Sequence, residues 1–196
     1  MTQQMQNRWA VVLAGGDGSR LRPLTQILAG DERPKQFCRI LGRTTLLRET
    51  VDRLERVIAP EQIAYVLSQR HEAFYRDEVA DVPSLRLIEQ PINRGTTAAV
   101  IAAILRIRKL TDSDPVVGFF PSDHYYADGA PLDHALAAAY TAAGHPSRPV
   151  VLVGARPTGP ETDFGWIEPG DAARVRGRRP VGVGRLHRVE RFVEKP

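Results

Sequence analysis

Apolar residues follow two rhythms along this chain. Short, nearly continuous apolar runs occupy residues 9–14, 62–68, 85–89, 115–121 and 149–155, the length and texture of buried strands. Between them, apolar positions recur every three or four residues, as one face of a helix requires. Leu47, Val51, Leu54 and Ile58 mark one such face, and Thr44 or Thr45 ahead of it offers an N-cap hydroxyl. Further helices are predicted over 71–81, 96–110 and 131–144. The helix over 96–110 is apolar on most faces, which predicts deep burial, and the run at 115–121 predicts a central strand covered on both faces. Strands alternating with helices give an α/β fold, a mainly parallel Rossmann-like sheet flanked by helices. After residue 155 Gly, Pro and Arg become frequent, and shorter strands are predicted over 164–168 and 186–193.

Length and composition add bounds rather than detail. At 196 residues, 42% hydrophobic and 26% charged, the chain is an ordinary globular domain with enough material for a core, and it has no internal repeats. Residues 1–8, MTQQMQNR with Trp9 following, are polar and lack the apolar segment of a signal peptide, so they are expected to form a disordered tail. No apolar stretch reaches the ~20 residues that span a membrane, and a cytoplasmic protein without membrane contact is expected. The net charge is +4, yet Arg is scattered rather than gathered with interleaved aromatics, so nucleic acid is not an expected partner. Phosphate-bearing small molecules account for the basic residues more simply. Cys38 is the single cysteine, which excludes an internal disulfide and suits a core position.

The chemistry concentrates in residues 13–37, LAGGDGSRLRPLTQILAGDERPKQF. An apolar strand runs through Leu13 and Ala14 into Gly15, Gly16, Gly18 and Ser19. Glycines here let backbone N–H groups approach an anion without Cβ interference. Arg20 and Lys35 add a fork-shaped and a compact cation, and Pro34 stiffens the approach to Lys35. Two familiar phosphate loops are excluded. A dinucleotide fingerprint needs glycine where Leu21 stands, and a P-loop needs Lys after Gly18. A carboxylate, Asp123, follows the predicted strand in FFPSDH, at the strand end where open α/β sheets bind ligands. It suits Mg²⁺; by position alone a turn or helix cap is an equal reading. His124 beside it suits a structural role better than Mg²⁺ ligation.

With these residues in view the chain resembles the sugar-nucleotide pyrophosphorylases, and among them the bacterial mannose-1-phosphate guanylyltransferases. The GGxGxRLxPLT loop stands at residues 15–25 and PKQF at 34–37; QPINRGTTAA (90–99), PSDH (121–124), RPTGPETDFGWIE (156–168) and FVEKP (192–196) follow in the family's order. The resemblance covers almost the whole chain and implies the GT-A-like fold of nucleotide-diphospho-sugar transferases. It divides the chain into a nucleotide-binding half over 9–155 and the start of a sugar-binding half over 156–196, truncated because the family's chains continue past EKP. It implies Mg²⁺-dependent transfer of a nucleotidyl group from a nucleoside triphosphate, GTP, to a sugar 1-phosphate, mannose 1-phosphate, and it allows for a homodimer. Arg20, Lys35 and Asp123 are the implied catalytic residues, with Asp123 the metal ligand. Leu13, Ala14, Gly15, Gly16, Gly18, Ser19, Gln90, Asn93, Gly95 and Thr96 are implied for the nucleotide, and Thr96 doubles as a candidate N-cap. Glu161, Thr162, Gly165, Glu194 and Lys195 are implied for the sugar phosphate. The chain departs from the guanylyl pattern at Gly95, where the family has Asn, and at Ala98, where it has Pro. Thymidylyl or uridylyl transfer to another hexose 1-phosphate is the nearest rival, although PKQF followed by LLRETVDRL is closer to the guanylyl group. A shortened homologue that binds nucleotide with little turnover is the alternative of another class.

Overall fold

The structure, a computed structural model, describes residues 8–40, 42–173 and 186–195. Most of the expected N-terminal tail lies outside them. The chain forms two compact units, Met1–Ala127 and Asp128–Pro196.

The first unit is built on four parallel strands: β1 (Arg8–Leu13), β2 (Ile63–Ser68), β3 (Leu87–Gln90) and β4 (Val116–Pro121), in the order β3-β2-β1-β4. β2 is buried along its whole length and β1 at its four central residues, as their continuous apolar runs require. Trp9 and Val11 share a sheet face with Ala64, Val66 and Ile88. Against that face α4 (Gly95–Ile107) lays Ala99, Ala103 and Ile107, spaced at one residue in four. The small alanines bring the helix close to the sheet. The expected deep burial of this helix does not hold: Ile101 and Leu105 are 53% and 56% exposed. Only one stripe meets the sheet, however apolar the rest.

Thr45 is the N-cap of α2 (Leu46–Leu54), its hydroxyl accepting from the Arg48 N–H at 3.1 Å. The expected helix over 71–81 is instead a 3-10 turn, a short α3 (Glu72–Tyr75) and another 3-10 turn. Tertiary bonds compete with helical register there. The Tyr75 hydroxyl donates to Glu89 at 2.8 Å, and Glu78 accepts from the Thr45 hydroxyl at 2.7 Å. An unanticipated α1 (Arg22–Ala29) follows the glycine loop, with Pro23 in its first turn and Gly30 (φ 77°) closing it. Among the described residues β4 lies at the edge of the sheet, half-buried, rather than at the centre that its apolar run suggested.

The second unit holds α5 (Ala130–Ala143) and an antiparallel ribbon of β5 (Gly165–Ala172) and β6 (His187–Glu194). Its register shifts beside Pro169, which has no N–H to give the ladder. Residues 149–155 form no strand. Val150 is 90% exposed, and an apolar run without a pairing partner does not become a strand.

Candidate active site

Leu13 and Pro121 face each other at the carboxyl ends of β1 and β4, so the loops that follow them emerge side by side. Between these loops lies an open cavity lined by Leu13, Gly16, Gly18, Lys35, Gln36, Ser122 and Asp123. The Ser122 hydroxyl donates to the Leu13 carbonyl at 2.9 Å and ties the two strand ends together.

The glycine loop is shaped from three sides. Gly18 has φ +60°, and a Cβ on it would lie 3.1 Å from the backbone nitrogen of Lys35, so both conformation and space ask for glycine. A Cβ on Gly15 would lie 3.2 Å from Oε1 of Gln90, which brings the end of β3 to the loop. The third side is Gln36, buried at 3% exposure, whose side-chain amide donates to the carbonyls of Ala14 (2.9 Å) and Gly16 (2.8 Å). Because a trans peptide sets its N–H opposite its carbonyl, the N–H groups of Gly15 and Asp17 are turned away from that amide.

The PKQF segment divides its side chains between core and cavity. Phe37 packs against the rings of His71 and Tyr75, with centroids 6.1 and 5.9 Å away, while Lys35 reaches out to an ion pair with Asp123. Lys35 and Asp123, 88 positions apart in sequence (123 minus 35), therefore meet at the cavity. Arg20 stands exposed on the 3-10 turn Ser19–Leu21 with Ser19, and neither lines the cavity. Beneath the loop the His71 imidazole lies 3.5 Å from the Asp17 carboxylate, and burial lowers its pKa below the ordinary histidine value. Cys38 is a buried core residue, and burial pushes its thiol pKa up.

Of the remaining expected nucleotide residues, Asn93, Gly95 and Thr96 sit on the exposed turn into α4. Thr96 is not the N-cap; Arg94 holds that position. The Asn93 side chain accepts from the Gly95 N–H at 2.9 Å, and Gly95, at φ +83°, starts the helix two residues earlier than a Thr96 cap would. That left-handed backbone also explains the departure at this position, since Asn tolerates it better than other side chains.

In the second unit, Gly165 pairs with Glu194 across β5 and β6, and a Cβ on Gly165 would lie 2.5 Å from the Phe192 ring. Trp166 donates its indole N–H to the Glu161 carbonyl at 2.7 Å, and the Glu161 carboxylate accepts from the Asp163 N–H. Glu161, Gly165 and Glu194 are thus drawn to one end of the ribbon, with Thr162 in the adjoining turn and Lys195, at φ +46°, just beyond Glu194. Sequence reasoning missed Gln36 and Ser122. Each stands next to a charged residue of a quoted motif, and each points inward to backbone.

Residues 9–196 match the family model described as Nucleotidyl transferase. The chain belongs to the nucleotidyl transferase family. It is 31% identical over 191 residues to the mannose-1-phosphate guanylyltransferase of Escherichia coli, covering 95% of this chain and 37% of that protein. It is 34% identical to the xanthan biosynthesis protein XanB of Xanthomonas campestris pv. campestris, with 95% and 36% covered. The crystal structure of a mannose-1-phosphate geranyltransferase from Thermus thermophilus superposes with a TM-score of 0.75 at 31% identity, covering 97% of this chain and 50% of that one. The chain therefore spans little more than a third of the length of the curated relatives it matches. No helix among the described residues is long and apolar enough to cross a membrane.

Proposed function

We propose that this chain carries the nucleotide-transfer centre of an enzyme that makes a nucleotide sugar from a nucleoside triphosphate and a sugar 1-phosphate, with GTP and mannose 1-phosphate as the substrates. The observation that carries this reading is the Lys35–Asp123 pair set against a glycine loop pinned by Gln36. A phosphate oxygen of the sugar 1-phosphate attacks the α-phosphorus. The bond from that phosphorus to the bridging oxygen breaks, and pyrophosphate leaves with its electron pair. The attacking oxygen is already ionised, so no general base is required; alignment and charge neutralisation do the work. Loop N–H groups, Lys35 and Arg20 hold the triphosphate. Gln90, Asn93, Gly95 and Thr96 face base and ribose, and Glu161, Thr162, Gly165, Glu194 and Lys195 contact the sugar phosphate. The guanine and mannose assignments rest on the relatives named above.

The donor set fits Mg²⁺. Among the described residues no three His, Cys, Asp or Glu side chains gather into a protein cage, but Asp123 presents one carboxylate to the cavity. Mg²⁺ in nucleotide sites is held in that way, by one or two carboxylates together with phosphate oxygens. When bound it neutralises phosphate charge, and Asp123 is the residue that holds it.

The test is pyrophosphate release, measured with each nucleoside triphosphate and a panel of sugar 1-phosphates. GTP with mannose 1-phosphate should give the highest kcat/KM; a preference for dTTP or UTP with glucose 1-phosphate would replace the assignment. Lys35→Ala should weaken triphosphate use by about 2 kcal/mol, roughly thirtyfold. Asp123→Asn keeps the shape and loses the charge, so Mg²⁺-dependent turnover should vanish while the melting temperature holds. Near-normal turnover in Asp123→Asn sinks the metal assignment.

A further inference from the structure

The segment LLRETVDRL folds as α2, and one of its residues reaches the chain just after Asp123. Arg53 donates from Nη1 to the backbone carbonyl of His124 at 2.9 Å. Its Nη2 donates to the hydroxyl of Thr50, one turn earlier on the same helix, at 3.3 Å. Its guanidinium lies over the Tyr126 ring, 4.8 Å from the centroid, and that ring meets the His124 imidazole edge-on at 6.5 Å. α2 is a firm base for this reach, since Leu46, Leu47, Thr50, Val51 and Leu54 are all buried. The segment it grips is otherwise outward-facing: His124, Tyr125 and Tyr126 are exposed.

Asp123 thereby stands between two fixed points. On one side the Ser122 hydroxyl is bound to the Leu13 carbonyl; on the other the His124 carbonyl is bound by Arg53. Both neighbours of Asp123 are held, so its backbone is fixed, and Lys35 takes the carboxylate. We infer that Arg53 is a positioning residue, which fixes the segment carrying Asp123 so that the carboxylate is presented to the metal–nucleotide complex. The inference rests on the functional reading above. A charged fork that hydrogen-bonds and stacks together is the side chain for this task, and a lysine cannot replace both contacts.

The test uses Arg53→Met, which keeps the apolar stem, and Arg53→Lys, which keeps the charge. Amide hydrogen exchange without ligand should speed up about tenfold over residues 123–127 in Arg53→Met, less in Arg53→Lys, with β1 and β2 unchanged. Calorimetry with GTP should show the Mg²⁺ half-saturation rising roughly tenfold, as loss of a supporting contact to a metal ligand does. GTP affinity in EDTA, which reports the glycine loop and Lys35, should shift far less than the Mg²⁺ half-saturation. Unchanged exchange over 123–127, or exchange rising equally through β1 and β2, overturns the positioning role. So does faster local exchange with an unshifted Mg²⁺ half-saturation. If the unsubstituted protein shows no Mg²⁺-dependent GTP binding, the functional reading fails, and the exchange result alone decides whether Arg53 holds the segment.

Discussion

Gln36 commits both hydrogens of its amide to backbone carbonyls 22 and 20 residues away. In Gln36→Ala the buried Ala14 carbonyl and the part-buried Gly16 carbonyl lose their partner, at a cost of about 1–3 kcal/mol. Gln36→Glu should be worse, because it sets a carboxylate against two carbonyl dipoles. Urea denaturation measures the loss, and GTP affinity should fall with it; a stable Gln36→Ala protein with unaltered affinity would show that the loop holds its own shape. Residue type alone did not disclose this role. Gln within PKQF carries no charge to mark it, and its work is done on main-chain atoms that no side-chain pattern records. Lys35 and Asp123 both line the cavity; Lys35 stood out beside a glycine loop, whereas Asp123, which by position alone reads equally as a turn or cap, stood out through the PSDH match. Their ion pair was not legible, since it depends on β1 lying next to β4.

Among the elements, β1 and β2 were read to within about a residue because both faces are covered and nothing polar interrupts them. α4 shows where that reasoning stops. Composition reports how apolar a helix is, but the neighbours decide how much of it is buried. Ala103, fully buried against β1 and β2, should not accept a larger side chain. Ala103→Leu is expected to cost about 1–3 kcal/mol in overpacking. Ile101→Gln, on the exposed side, should change stability by less than about 0.5 kcal/mol. Chemical denaturation of the two variants separates them, and equal losses would mean that the exposed stripe is covered in solution. β4 was misjudged for a related reason. Its apolar run matches a central strand, but the described sheet ends there. α1 escaped notice although Leu24 and Leu28 recur at helical spacing: it is short, those side chains stay exposed, and it buries only Thr25.

For the molecule as a whole, His71 links pH to stability. Burial lowers its pKa below 6.5, opposed by Asp17 and reinforced by Arg22 and Arg70. The folded state thus holds the imidazole neutral at pH values where the unfolded chain already binds a proton. The contribution is complete above pH 6.5 and is lost as pH falls from there through the lower folded value. Glu78 acts in the opposite sense, because burial raises its carboxyl pKa. The difference between the protein and His71→Gln isolates the histidine: it should shrink between pH 7 and pH 5, as followed by thermal denaturation. A difference that stays constant with pH would show that His71 does not titrate with folding. The parallel α/β class was legible at this scale from the alternation of apolar runs. The break between units at Ala127 and Asp128 was not, because the loop carrying Asp123 runs into it without a change in composition.

The ion pair between Lys35 and Asp123 has one more consequence. A lone anion arriving at Lys35 must compete with a carboxylate already in place, and a lone cation arriving at Asp123 must compete with an ammonium. Either exchange leaves one protein charge stranded in a half-buried cavity. A ligand that brings both signs at once gives each protein charge a new counter-ion in the same event. The resting pair is therefore electrically self-satisfied, and under the proposed function a metal-loaded polyphosphate should displace it more readily than either of its components alone, before any base or sugar is read.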